Sequence, residues 1–119
     1  MLDLFQLWVV VAKQNKIKIF GNTWTYRVFK RDQFKKRYPE STPETLAITY
    51  SNKNRIDFVT EGVTMRECRH EVIHAYIASL PLNSAELNED ALEEIYCELI
   101  SREWNQIDSD ARRIFNNLK

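Results

Sequence analysis

The chain has 119 residues with 17 basic and 17 acidic side chains, a formal net charge of zero, 44% hydrophobic residues and only 2 cysteines and 2 histidines. That is enough chain for one domain with a real core, so residues 1–119 are read as a single unit, and the balanced charge gives no global pull toward nucleic acid.

In chain order, Leu7-Trp8-Val9-Val10-Val11-Ala12 is an apolar run too short to span a bilayer and is preceded by Asp3 with no basic residue, so it reads as a core element, strand or helix, and no membrane association is expected. Ile17–Phe20 and Thr23–Phe29 are rich in β-formers on either side of Gly21-Asn22, which predicts a hairpin. Asp32 to Tyr38 reads as a short helix closed before Pro39. Its basic clusters, Lys30-Arg31 and Lys35-Lys36-Arg37, read as solvated charge rather than a nucleic-acid patch. Leu46–Tyr50 and Ile56–Thr60 are two further strands joined across Ser51–Arg55. The expected fold class is therefore α+β: a small antiparallel sheet in the N-terminal half, packed on the helices that follow.

Thr64-Met65-Arg66-Glu67 has the pattern of a capping box, and Met65, Cys68, Val72, Ile73, Tyr76, Ile77 and Leu80 form an apolar stripe that Pro81 ends. On that helix lies His70-Glu71-Val72-Ile73-His74, which uses both histidines of the chain. Residues four apart on a helix are about 40° apart around the axis and roughly 6 Å along it, so both imidazoles can reach one ion. Glu71 lies beside them, where a carboxylate can accept a proton from a zinc-activated water.

A catalytic zinc usually takes three protein ligands. No third histidine exists, which excludes zinc families whose third ligand is a downstream histidine. The acidic segment Asn88–Ser101 reads as a second helix, capped by Asn88, and a carboxylate from it is the natural candidate. Its apolar positions Ala91, Leu92, Ile95, Leu99 and Ile100 bring Glu98 closer to the buried face than Glu94, with Glu93 on the opposite flank. Cys68 and Cys97 sit at apolar-compatible positions and read as free, buried thiols, with a pair facing each other across the two helices as the alternative. Asp108 is expected to cap a last short helix through Ile114 and Leu118. The two E-x-x-H steps, Glu67–His70 and Glu71–His74, also occur in di-iron bundles, but there they come from different helices, and the strand-like first half leaves too few helices for a bundle.

Between Thr64 and Ser101 the chain resembles the gluzincins, the thermolysin-like zinc peptidases, in which an HExxH helix is followed by a helix bearing a glutamate ligand. Glu94, twenty positions after His74, occupies the matching place, and Cys97-Glu98-Leu99-Ile100-Ser101 fits the turn beyond it. The layout is also similar to short phage metallopeptidase domains and to ImmA/IrrE-type peptidases. The resemblance implies Zn²⁺ held by His70, His74 and Glu94, with Glu71 as general base and Glu98 orienting a liganding histidine. It further implies a cytoplasmic zinc metalloendopeptidase acting on a protein or peptide substrate. An edge strand, Leu46–Tyr50 or Ile56–Thr60, would take that substrate as an added strand. The alternative is a zinc-binding domain without peptidase activity that acts by binding a protein partner.

Overall fold

The computed structural model describes residues 12–82 and 86–118. The apolar run read over Leu7–Ala12 lies, apart from Ala12, outside the described residues.

Strands β1 (Ala12–Ile19) and β2 (Asn22–Phe29) form an antiparallel hairpin in which Ile19 pairs with Asn22. The turn is therefore Phe20-Gly21, one residue earlier than the Gly21-Asn22 expected from composition. Both turn residues take positive φ, 50° and 82°, as the tight hairpin turn matching strand twist requires. Gly21 does so freely; Phe20 does so while standing half out of the surface with its ring edge against Tyr76, centroids 5.5 Å apart.

Helix α1 (Arg31–Arg37) follows, then strand β3 (Ala47–Tyr50), a single 3₁₀ turn over Ser51–Lys53, and strand β4 (Arg55–Val59). The strand order is β1-β2-β4-β3. The sheet is mixed rather than wholly antiparallel, because β4 inserts beside β2 in parallel and leaves β3 outside as the edge. A parallel neighbour needs a long crossover, and α1 and β3 lie within the connection that provides it.

Helices α2 (Met65–Ala78) and α3 (Glu89–Asn117) complete the chain. Thr64 caps α2 by accepting from the Glu67 amide at 3.3 Å, and Asn88 caps α3 by accepting from the Ala91 amide at 2.8 Å. The last helix is one continuous rod of 29 residues, so Asp108 is not a cap. No glycine or proline interrupts residues 88–118, and Asp108 instead pairs across the helix surface with Arg112 at 2.8 Å and with Arg69 of α2 at 3.3 Å.

Alternation along the strands makes two cores. One face carries Ile17, Ile19, Trp24, Tyr26, Ile56 and Phe58 against Val72, Ala75 and Tyr76 of α2 and Ile107, Ala111 and Ile114 of α3. The other puts Phe29 and Val59 under Phe34 and Tyr38 of the α1 region, with Ile48 and Tyr50 beside them. Polar ties hold the helices in place: the Trp24 indole donates to Ser79 at 2.8 Å, Asn117 to the Tyr26 hydroxyl at 2.8 Å, and the Tyr76 hydroxyl to Asp110 at 2.7 Å.

The second core contains a buried charge cluster. Asp57 on the interior strand β4 is wholly inaccessible and accepts two bonds from Arg27 of β2, at 2.8 and 2.7 Å. The Tyr38 hydroxyl donates to the same carboxylate, and the Arg55 guanidinium approaches it at 3.5 Å. Removing the acid leaves Arg27 buried without its main counter-charge, so Asp57→Ala is expected to cost about 3–5 kcal/mol in urea-unfolding free energy. Burial, and then the bond to Asp57, push the Tyr38 phenol up from 10.0 to about 12. The unfolded phenol ionises first as pH rises. Stability from this group is therefore complete below pH about 10 and falls by roughly 2–3 kcal/mol by pH about 12. Urea titrations across that window are expected to show this component in the wild type and to lose it in Tyr38→Phe.

Candidate metal centre

The cap at Thr64 sets the phase of α2. From there the helical period turns Cys68, Val72, Ala75 and Tyr76 inward and leaves His70 and His74 exposed, with Glu71 at the boundary, only 7% accessible. The imidazoles converge. Their Nε2 atoms are 3.1 Å apart, and the rings stand edge to face with centroids at 4.7 Å. Two nitrogens at zinc–nitrogen distances of ~2.0–2.1 Å and a tetrahedral angle are separated by about 3.3 Å, so this spacing already suits one shared ion. The Glu71 carboxylate joins them: one ligand atom from each of His70, Glu71 and His74 lies within 4.8 Å of the others, and this group could hold a metal ion.

The sheet closes the site from one side. Thr49 on β3 donates its hydroxyl to Glu71 Oε1 at 3.2 Å. A cleft of about 320 Å³, lined by Ala47, Ile48, Thr49, Ser51, Glu71 and His74, runs between the edge strand and the helix. Burial raises the Glu71 pKa above the usual carboxylate value, opposed by the charges of His74 and His70 and by the Thr49 hydroxyl. A partly desolvated carboxylate beside convergent imidazoles has the character of a proton acceptor.

Among the described residues no acid of α3 belongs to this convergent group. Glu94 is exposed and lines a separate groove of about 560 Å³ with Phe20, Leu80, Ile95 and Leu99, a groove that shares no residue with the cleft beside His74. Glu98 lines that groove too, pairing with Arg102 at 3.1 Å rather than with a histidine ring, and Glu93 is exposed. The crossing of the helices fits this placement. Arg69 meets Asp108 and Tyr76 meets Asp110, so α2 lies against the later half of α3.

Four side chains of the kind that stabilise a developing oxyanion are placed elsewhere. Tyr76 is buried on Asp110, Tyr26 holds Asn117, Tyr50 stands on the far face of the sheet and Arg69 is paired with Asp108. Cys68 is buried, and burial together with the nearby Glu67 and Glu71 charges pushes its thiol up to about 12. Cys97 is exposed and not buried as its position suggested, because it falls on the α3 surface away from the core; both thiols are free. In the basic clusters, Arg31 donates to the Thr45 carbonyl at 2.7 Å and Lys35 to the carbonyls of Pro39 and Ser41, so these charges fasten the loop after α1. Thr49 and Ser51 are site residues that sequence reading missed. Nothing local links Thr49 to a carboxylate 22 positions away.

Compared with known proteins, the chain matches no family model, no curated sequence and no solved structure.

The donor geometry makes metal content a direct test. His74→Ala is expected to lose bound metal, measured by elemental analysis after zinc loading and desalting. Glu94→Gln is expected to keep it, because that carboxylate lines a different groove, whereas a thermolysin-type ligand set requires its loss.

Proposed function

We propose that this domain is a zinc-dependent peptidase that hydrolyses extended polypeptide, with Glu71 as general base. The convergence of the His70 and His74 Nε2 atoms at 3.1 Å beside a buried carboxylate is the observation that carries this reading. His70 and His74 would hold the ion. Glu94 as a third ligand rests on the gluzincin resemblance alone. Bound zinc supplies a Lewis acid and makes a water acidic enough to ionise near neutral pH.

The chain's own groups account for the remaining chemistry. Glu71 accepts the proton of the attacking water and passes it to the departing amine nitrogen. Its burial keeps it a stronger base than a solvated carboxylate, and the Thr49 hydroxyl holds one oxygen so that the carboxylate keeps its orientation. A peptide added along β3 would lie beside this carboxylate. Among the described residues no strand pairs with the outer side of β3. Val59 donates to the Leu46 carbonyl at 2.9 Å, so Leu46, Ile48 and Tyr50 direct their backbone groups to β4, while Ala47 and Thr49 direct theirs outward. Main-chain pairing with those two residues would bind substrate with little regard for its sequence.

A metal-binding domain that recognises a partner without cleaving it is the second reading, favoured by the placement of Glu94 on a separate groove, outside the His70–Glu71–His74 group, and by the small cleft. Glu71→Gln separates the two. On the peptidase reading it keeps metal and lowers cleavage of an unfolded protein substrate by about 100- to 10,000-fold, followed by mass spectrometry of the products. Absence of cleavage by zinc-loaded wild type would leave the binding reading.

A further inference from the structure

We infer that a second pocket, on the opposite face of β3, is a specificity subsite that takes a large apolar side chain of the same extended peptide. It rests on the proposed use of β3 as the peptide-binding edge. The pocket has a volume of about 440 Å³, with Ile48, Tyr38, Tyr50 and Pro39 among its walls and Arg37 and Glu40 at its rim.

Strand parity links the two sites. Thr49 points toward α2, where it meets Glu71, and Ala47 packs against the same core. Ile48 and Tyr50 point the other way, into the core beneath α1. Residues side by side on neighbouring strands share a face, whether the pairing is parallel or antiparallel. A peptide residue beside Thr49 therefore faces Glu71 and the histidines, and the residue next to it in the peptide falls beside Ile48 or Tyr50, at the second pocket. No bend in the peptide is needed.

The pocket is prepared for such an occupant. The Tyr38 and Tyr50 rings stack at 5.8 Å with 26° between their planes. The Tyr38 hydroxyl is tied to Asp57, and the Arg55 guanidinium covers the Tyr50 ring at 5.1 Å, so both rings are held before a ligand arrives. Arg37 and Glu40 carry opposite charges and favour neither sign of ligand. Apart from the small hydroxyl side chains of Ser41 and Thr45, what remains is aromatic and aliphatic surface, suited to a leucine- or phenylalanine-sized side chain.

The test is binding of short capped Ser/Thr peptides with one central guest residue, followed by amide and side-chain NMR of the full chain, with a chelator present so that nothing is cleaved. All guests are expected to shift the Ala47 and Thr49 amides. Leu and Phe guests are expected to bind about tenfold tighter than Ser, from burial of one apolar side chain, and to move the Ile48 methyl and Tyr50 ring signals. Asp and Lys guests gain nothing over Ser. Ile48→Ser and Tyr50→Ser should each flatten the series while leaving the Ala47 and Thr49 shifts in place. A flat series in the wild type, an apolar preference that survives both variants, or shifts that avoid β3 would overturn the assignment. Should neither variant fold, the guest-dependent movement of Ile48 and Tyr50 in the wild type decides it. The peptidase reading fails separately, at Glu71→Gln, since guest-dependent binding needs no cleavage.

Discussion

One helix has to satisfy two surfaces at once, and the rest of the structure is arranged around that constraint. Helix α2 buries Cys68, Val72, Ala75 and Tyr76 while presenting His70 and His74 to solvent. A period of 3.6 residues permits both, because positions four apart stay on one side and the intervening residues face the core. Glu71 sits at the seam, buried enough to lose much of its hydration and near enough to the surface to meet a water. A shift in the phase of α2 would bury an imidazole or strand the carboxylate, so the Thr64 cap and the packing of Val72 and Tyr76 position the chemistry.

The sheet supplies the second half of the site through the register of its edge. Strand β3 has four residues and, among the described residues, pairs with a strand on one side only, β4. What keeps β4 in register is the cluster at Asp57, joined to β2 through Arg27 and to the end of α1 through Tyr38. A slip of one residue would carry Asp57 to the α2 face, away from its guanidinium and phenol, and would turn the following side chains over with it. A buried ion pair is weak evidence for net stability, but here it opposes a slip of β4, the strand on which β3 and its Thr49 are paired. The polar cluster on one face of the sheet therefore protects the geometry of a polar cluster on the other.

Much of the architecture was legible in the residues. The strands of the first half, the short basic helix and the HExxH helix declare themselves through alternation, capping and apolar stripes; apart from β1, which begins at Ala12 rather than at the expected Ile17, their observed limits differ from expectation by a residue or two. The failures have physical causes. Asp108 resembled a cap because capping residues look alike whether they end a helix or pair along it, and here Arg69 and Arg112 claim its carboxylate. An antiparallel sheet is expected only if neighbours in sequence are neighbours in space, whereas β4 passes inside β3.

The sequence by itself determined the helix that carries His70, Glu71 and His74 and the convergence of its two rings, since capping and helical spacing are local properties of consecutive residues. It could not determine what stands opposite them. That Thr49 reaches Glu71, and that Glu94 and Glu98 line another groove, depends on which strand ends at the edge and on where α3 crosses α2. Those choices are made by contacts between residues far apart in the chain, Arg27 with Asp57 in the sheet and Arg69 with Asp108 between the helices, which form only when the domain has folded as a whole.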